Sequence, residues 1–210
     1  MRSPTGPAAG LLVLISAPSG TGKTSLVAGL TEADANIVVS VSHTTRPRRS
    51  KEQDGVDYHF VDRAAFQKIA DAGGFLEHAH VHGHLYGTAA QTIKDIRAKG
   101  RDIVLEIDWQ GAAQVRKLIT DAVGVFVLPP SKAALEERLI ARGQDARSVI
   151  EARMRDAQAE MSHHLQFDYL LVNDDFNTAL ADLTAIVRAK RLTSERASQA
   201  SQGLITDLLS

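Results

Sequence analysis

The chain has 210 residues, 44% of them apolar and 23% charged, with 24 Lys and Arg against 25 Asp and Glu and no cysteine. That length supports one full hydrophobic core and is short for two independent domains; the near-neutral balance offers no overall attraction to a polyanion, and without cysteine there are no disulfide frameworks or thiolate metal sites. The longest apolar run near the start, "LLVLIS", is too short to span a bilayer and carries no secretory-leader pattern, so the cytoplasm is the expected location and no membrane partner is expected.

After a small Pro/Gly-containing tail (1–10), the branched-chain run Leu11 to Ile15 reads as a strand buried on both faces of a parallel sheet. A glycine-rich turn and a helix from Lys23 follow. Further buried strands are expected at "IVVSV" from Ile37, "DIVLEID" from Asp102, "VGVFVL" from Val123 and "YLLV" from Tyr169. Amphipathic helices are expected over Ala112 to Ile119, Lys132 to Ala141, Val149 to Leu165, and from Asn177 into the 190s. Strand and helix alternate, which predicts an α/β fold with a parallel sheet. Two segments break the rhythm and read as insertions. One, from about Ser42 to Lys99, holds a basic loop, the short alternating strands "DYHFV" and "FLEHAHVH", and two helices. The other is a helix–turn–helix from Ser131 to about Met161, with its turn at "RGQDARS". No internal repeat or low-complexity tract is present.

Between the first strand and first helix, "APSGTGKTS" fits the phosphate-binding loop pattern G-x-x-x-x-G-K-[ST], with Ala17 in place of the first glycine. Gly20 and Gly22 let the backbone turn sharply, so that amides from Ala17, Pro18, Ser19, Gly20, Thr21 and Gly22 onward frame a concavity for anionic oxygens, proline lacking its own N–H. The helix start adds its positive dipole end. Lys23 reaches the outer phosphates of a nucleoside triphosphate, and the Thr24 hydroxyl is a hard oxygen ligand suited to Mg²⁺. Nucleotide binding is the firmest inference from the residues alone.

Three other stretches carry chemistry. "LEIDWQG" places Glu106 and Asp108 on one face at the carboxyl end of a strand beside the phosphate loop, where a carboxylate orients magnesium or a second substrate. The tetrapeptide from Asp108 also matches the D-x-x-G of switch GTPases, a pattern that recurs by chance, and no N-K-x-D guanine-reading segment follows. The basic loop "RPRRSK" carries Arg46 and Arg49, with Tyr58 nearby; such a set binds a compact phosphate dianion by charge-assisted hydrogen bonds. "FLEHAHVHGHLYGT" places His78, His80, His82 and His84 at every second position, a spacing that puts all four on one face of an extended strand. Imidazole is a common zinc ligand, yet a solvated strand face accounts for the spacing equally well, and that reading is preferred to a metal site.

The segment "TTRPRRSKEQDGVDYHFV" is similar to the signature segment of guanylate kinases, and the resemblance continues through "SVSHTTR", "FLEH", "LYGT", "DWQG", "PPS", "RGQD", "AEMSH" and "YLLVNDD", in order, from Val13 to the final helix. It implies a P-loop NTPase-like parallel sheet flanked by helices, with a core of residues 11–41, 100–130 and 162–206, a GMP-binding insertion at 42–99 and a helical lid at 131–161. It implies ATP-dependent phosphorylation of GMP, and of dGMP, with Mg²⁺ accompanying ATP, in the service of purine nucleotide metabolism. In such enzymes the residues matching Arg46, Arg49, Tyr58 and Tyr86 hold the GMP phosphate. The residue matching Glu77 accepts the guanine N1–H and N2–H₂ donors, a pair that adenine lacks, and hydroxyls matching Ser42 and Thr88 donate toward the base. Arginines matching Arg138, Arg142 and Arg153 belong to the lid, and Asn173 matches the position beside the adenine ring. Asp108 and Glu106 fall near the GMP sugar or metal; Glu106 departs from the aspartate that many members carry, which puts its contact in doubt. Two other classes stay open: a catalytically silent binding module, as in membrane-associated scaffold proteins, opposed by the intact Gly22-Lys23-Thr24, and a GTPase switch, opposed by the missing N-K-x-D. No nucleic-acid partner is expected, because the basic loop is short and lacks interleaved stacking aromatics.

Overall fold

The structure is a computed structural model that describes residues 9–81, 83–141 and 147–210. Most of the expected tail, His82, Arg142 and most of the "RGQDARS" turn therefore lie outside the described residues.

The main sheet contains β1 (Leu12–Ser16), β2 (Ile37–Val39), β7 (Asp102–Glu106), β8 (Val123–Leu128) and β9 (Tyr169–Val172), all parallel, in the order β2-β7-β1-β8-β9. Alternation along β1 feeds two separate cores. Val13 and Ile15 join Leu26, Val27 and Leu30 of α1 (Lys23–Ala33) and Ala179, Leu183 and Val187 of α7 (Phe176–Arg191). Leu12 and Leu14 point the other way, into Ile93 of α3 (Ala90–Ala98) and Ala112 and Val115 of α4 (Trp109–Leu118). A strand covered on both faces needs a continuous apolar run, which is what this stretch supplies. Truncating Leu14, fully buried, to alanine costs about 2–5 kcal/mol. The chain leaves β1 between strands that lie on opposite sides of it, so the turn after β1 opens on a crevice at the carboxyl ends of the strands, the usual ligand position in such sheets.

The first insertion builds a second, mixed sheet in the order β4-β3-β6-β5. Its strands are β3 (His43–Thr44), β4 (His59–Phe60), β5 (Phe75–Val81) and β6 (His84–Ala89), with α2 (Arg63–Asp71) packed on its outer face through buried Phe66 against Phe75. The second insertion is α5 (Lys132–Ala141) and α6 (Arg147–Met161), joined by a small core of Leu135, Leu139 and Ala157. Beyond α7 the chain forms two helices that the sequence pattern does not announce, α8 (Ser194–Ala200) and α9 (Gln202–Leu209).

Three expectations need correction. His78, His80 and His84 do not share a face: β5 ends at Val81 and His84 begins β6 in register with it, whereas His78 and His80 lie opposite Gly87 and Leu85. Residues opposed in an antiparallel pair share a face, so His84 sits on the side of Val81 and away from His78 and His80. Helix α4 starts at Trp109 rather than Ala112, because the Asp108 carboxylate accepts the Gly111 N–H at 2.8 Å and caps the helix there. The helix expected to run to Leu165 stops at Met161, and His164–Gln166 form a separate 3₁₀ turn.

Candidate active site

The phosphate loop curls beneath the first turn of α1, with Gly20 and Gly22 at φ 94° and 88°. Such angles favour glycine, and at Gly22 a second reason is added: a β-carbon there would lie 2.5 Å from Asn173 Nδ2. The Asn173 amide donates to the Thr21 carbonyl at 2.6 Å, tying the end of β9 to the loop across 152 residues. Thr21 is fully buried and its hydroxyl donates to the Pro18 carbonyl at 2.9 Å. The loop is thus held from inside by its own hydroxyl and from outside by Asn173. Leu135 and Leu139 of α5 press on Gly20, so the helical hairpin rests directly on the phosphate loop.

Thr24 stays exposed and donates to Glu106 Oε2 at 2.9 Å. The sequence leaves the role of Glu106 in doubt for its extra methylene; in the fold that longer side chain reaches the threonine expected to bind Mg²⁺. Among the described residues no group of three or more His, Asp or Glu is placed to hold a metal by itself. One hydroxyl with a carboxylate beside it suits Mg²⁺, which keeps several waters and takes further oxygens from substrate phosphates.

A cavity of about 290 Å³ runs from this loop to the second sheet, lined at one end by Gly20, Gly22, Lys23 and Thr24 and at the other by Ser42, Tyr58, Glu77 and Tyr86. Glu77 is 3% exposed. Its Oε1 accepts from the Thr88 hydroxyl at 2.5 Å, and Thr88 in turn lies 3.2 Å from the Ser42 hydroxyl. The three residues come from β5, β6 and the loop before β3, and face one way because Glu77 is directly opposite Thr88 in the ladder. Burial pushes the Glu77 carboxyl up to about 7; the Thr88 hydrogen bond opposes this and the nearby Asp108 charge adds to it. A buried carboxylate held by one hydroxyl still has acceptor capacity free, and takes a ligand bearing two adjacent N–H donors. Sequence reasoning passed over the residue that makes room for it: a β-carbon on Gly111 would sit 2.5 Å from Glu77 Oε2. The glycine of "DWQG" carried that signal. Gln114 was also missed; its amide bonds the His78 backbone N–H and C=O at 3.1 and 2.9 Å, fastening β5 to α4.

The basic loop is arranged less simply than its sequence implies. Arg46 makes a bidentate pair with Glu52, at 2.7 and 3.0 Å, and lies over the rings of Tyr58 and Phe60. Glu52 also accepts the Arg49 backbone N–H at 2.8 Å. That pairing holds the Glu52 carboxyl below the usual carboxylate range. Arg49 lines the cavity with its side chain 73% exposed. Tyr58 and Tyr86 meet edge to face at 5.9 Å. The two arginines and two tyrosines are brought together, but Arg46 is already partnered.

Arg138 lines a second hollow with Gly20, Gly22, Ser25, Asn173 and Phe176, on the other side of the phosphate loop. Arg153 stands on α6; Arg142 lies outside the described residues. Glu160, which no motif in the sequence singles out for a task, enters the main cavity from the last turn of α6.

A family model described as guanylate kinase matches residues 10–190. The guanylate kinase of Saccharophagus degradans is 54% identical over 201 residues, which cover 96% of this chain and 98% of that protein. The guanylate kinase of Methylococcus capsulatus is 56% identical over 200 residues, covering 95% and 98%. Among solved structures, the guanylate kinase of Anaplasma phagocytophilum is similar with a TM-score of 0.77, at 34% identity over 90% of each chain.

Proposed function

The chain belongs to the guanylate kinase family and is a nucleoside monophosphate kinase that phosphorylates GMP from ATP; on that premise we propose how its own residues divide the reaction. Residues 42–99 form the GMP-binding lobe, 131–161 the lid, and 11–41, 100–130 and 162–206 the core. The observation that carries the assignment is the single cavity holding a buried, hydroxyl-braced carboxylate at one end and the phosphate loop at the other.

At the lobe end, the Glu77 carboxylate accepts guanine N1–H and N2–H₂, with Ser42 and Thr88 at the base edge. Adenine offers no such donor pair and leaves a buried acid unpaired, at a cost of about 1–3 kcal/mol. Arg46, Arg49, Tyr58 and Tyr86 take the GMP phosphate. Arg46 then divides its five donors between Glu52 and the phosphate, and Glu52 fixes the guanidinium plane beforehand. Asp108 and Glu106 border the space between the two substrates.

At the loop end, backbone N–H groups between Ala17 and Thr24 and the Lys23 ammonium take the outer phosphates of ATP, Asn173 stands on the adenine side, and Arg138, Arg142 and Arg153 supply positive charge around the transferring group. Thr24 would hold Mg²⁺, which when bound would supply positive charge to the outer phosphates. The accepting phosphate oxygen of GMP is already anionic near neutral pH, so no strong base is required; positioning and charge compensation carry the reaction. Water kept out by the lid prevents wasteful ATP hydrolysis. We place the reaction in the cytoplasm; no helix of the described residues is long and apolar enough to cross a membrane.

ADP release measured with GMP, dGMP, AMP, dTMP and no acceptor tests the reading. Turnover with the guanine nucleotides alone is expected. Acceptor-independent hydrolysis points instead to a switch, and silence with every acceptor to a binding module.

A further inference from the structure

Four carboxylates line the main cavity, Glu77, Glu106, Asp108 and Glu160, against two cations, Lys23 and Arg49. Each of the first three has a hydrogen-bonded partner: Thr88 for Glu77, Thr24 for Glu106, and the Gly111 N–H with the Gln110 amide for Asp108. Glu160 has none among the described residues, yet it is largely buried: its carboxyl is pushed up to about 7, chiefly by burial and by Asp108 and Asp156, while the Lys23 charge draws it down. A partly desolvated acid without a donor is costly, and in a site that must admit two anionic nucleotides it is doubly so.

Its place in the lid gives it a task. Glu160 is seven residues after Arg153, two turns of α6, so both side chains leave the same face of that helix, about 10 Å apart along its axis. The end of α6 is also fixed. His163 stacks on Trp109, with ring centroids 3.5 Å apart and planes at 7°, and Trp109 follows the capping Asp108 at the floor of the cavity. The stack seats the end of α6 beside Trp109, and Glu160 and Lys23 line the same cavity, across which the Lys23 charge acts on the Glu160 carboxyl.

We propose that Glu160 is a positioning residue for phosphoryl transfer: its carboxylate accepts one donor of the Lys23 ammonium, aims the other two at the outer phosphates of ATP, and sets α6 so that Arg153 meets the transferring group. Its action runs through Lys23 and involves no contact with substrate. The inference rests on the kinase reading above.

The test is a double-mutant cycle on the full chain with ATP and GMP. Glu160→Gln is expected to lower kcat about tenfold while KM for GMP moves less than about twofold. Melting temperature is not lowered, and the emission of Trp109, the one tryptophan in the chain, reports an undisturbed stack. Glu160→Asp, which keeps the charge on a shorter stem, recovers part of kcat. In a Lys23→Met background Glu160→Gln costs nothing further, because the group it serves is gone. Two results overturn the proposal: kcat of Glu160→Gln within about twofold of wild type, or a loss that persists undiminished without Lys23. Should Glu160→Gln fail to fold, Glu160→Ala takes its place in the cycle, and the same two results overturn the proposal. GMP-dependent turnover by the wild-type enzyme is measured first, and its absence strikes the kinase reading rather than this one.

Discussion

The base-reading end of the cavity and the phosphate-handling end are built on opposite principles. Glu77 is buried, braced by Thr88 and Ser42, and backed by a glycine that leaves no slack behind it. The cations are held differently: Arg49 is mostly exposed, Arg46 is fixed in a bidentate pair with Glu52, and Arg153 extends from α6. A buried acceptor pays for every unmade hydrogen bond and so must be organised before the ligand arrives. An exposed guanidinium such as that of Arg49 stays solvated until a ligand arrives and need not be organised in advance. On the proposed reading, the base is chosen by a buried, braced acceptor, and charge is compensated in part by an exposed cation.

Substitutions separate the two ends by what they change. The largest effect is expected from Lys23→Met, which removes a charge aimed at the transferring group: kcat falls by about 10²–10³, with little change in thermal stability and with guanine preference intact among the residual turnovers. Loss of guanine preference in that variant breaks the division of labour. Next, Glu77→Gln presents an amide donor to the guanine donors. Discrimination of GMP from AMP, measured as the ratio of kcat/KM, should fall by between about tenfold and several hundredfold, while KM for ATP is nearly unchanged.

Gly111→Ala tests the rigidity itself. The added methyl must displace the Glu77 carboxylate or the start of α4, so stability drops by about 1–3 kcal/mol and KM for GMP rises; a variant that melts normally and binds GMP normally shows that the acid has room to move. The pH dependence sharpens the same point more gently. Glu77 must be ionised to accept two donors, and its carboxyl sits at about 7 in the fold, so KM for GMP should fall as pH rises through that value and then level. Glu160 titrates in the same range, so Glu77→Gln is the control: the part of the dependence that vanishes in it belongs to the base-reading end.

The smallest effect concerns the outer face of the lobe. His43 is partly buried beside His59, its Nδ1 is enclosed without a hydrogen-bond partner, and burial holds the ring below the ordinary imidazole value of 6.5. The unfolded chain therefore takes up that proton first. His43 contributes stability that is present above 6.5 and lost as pH falls toward its lowered folded value. Melting measured between pH 7 and 5 should show a shallow loss that His43→Asn reduces.

How far the sequence carries differs between these parts. The phosphate loop was legible because its chemistry is local: glycines, lysine and threonine at fixed offsets between a strand and a helix admit few other uses. The main sheet was legible because buried parallel strands announce themselves as apolar runs. The second sheet was less so, since β3 and β4 are two residues long and carry almost no periodicity.

Sequence alone thus determined the fold class, the nucleotide-binding loop and, through motifs in order, the family. Tertiary structure decided the meetings that no spacing encodes: Thr24 with Glu106, Arg46 with Glu52, Gly111 behind Glu77, Glu160 and Lys23 lining one cavity, and His84 on the far face from His78. Backbone periodicity fixes which way a side chain points along one element, whereas meetings between residues far apart in the chain depend on how the elements pack, and packing is a property of the whole core.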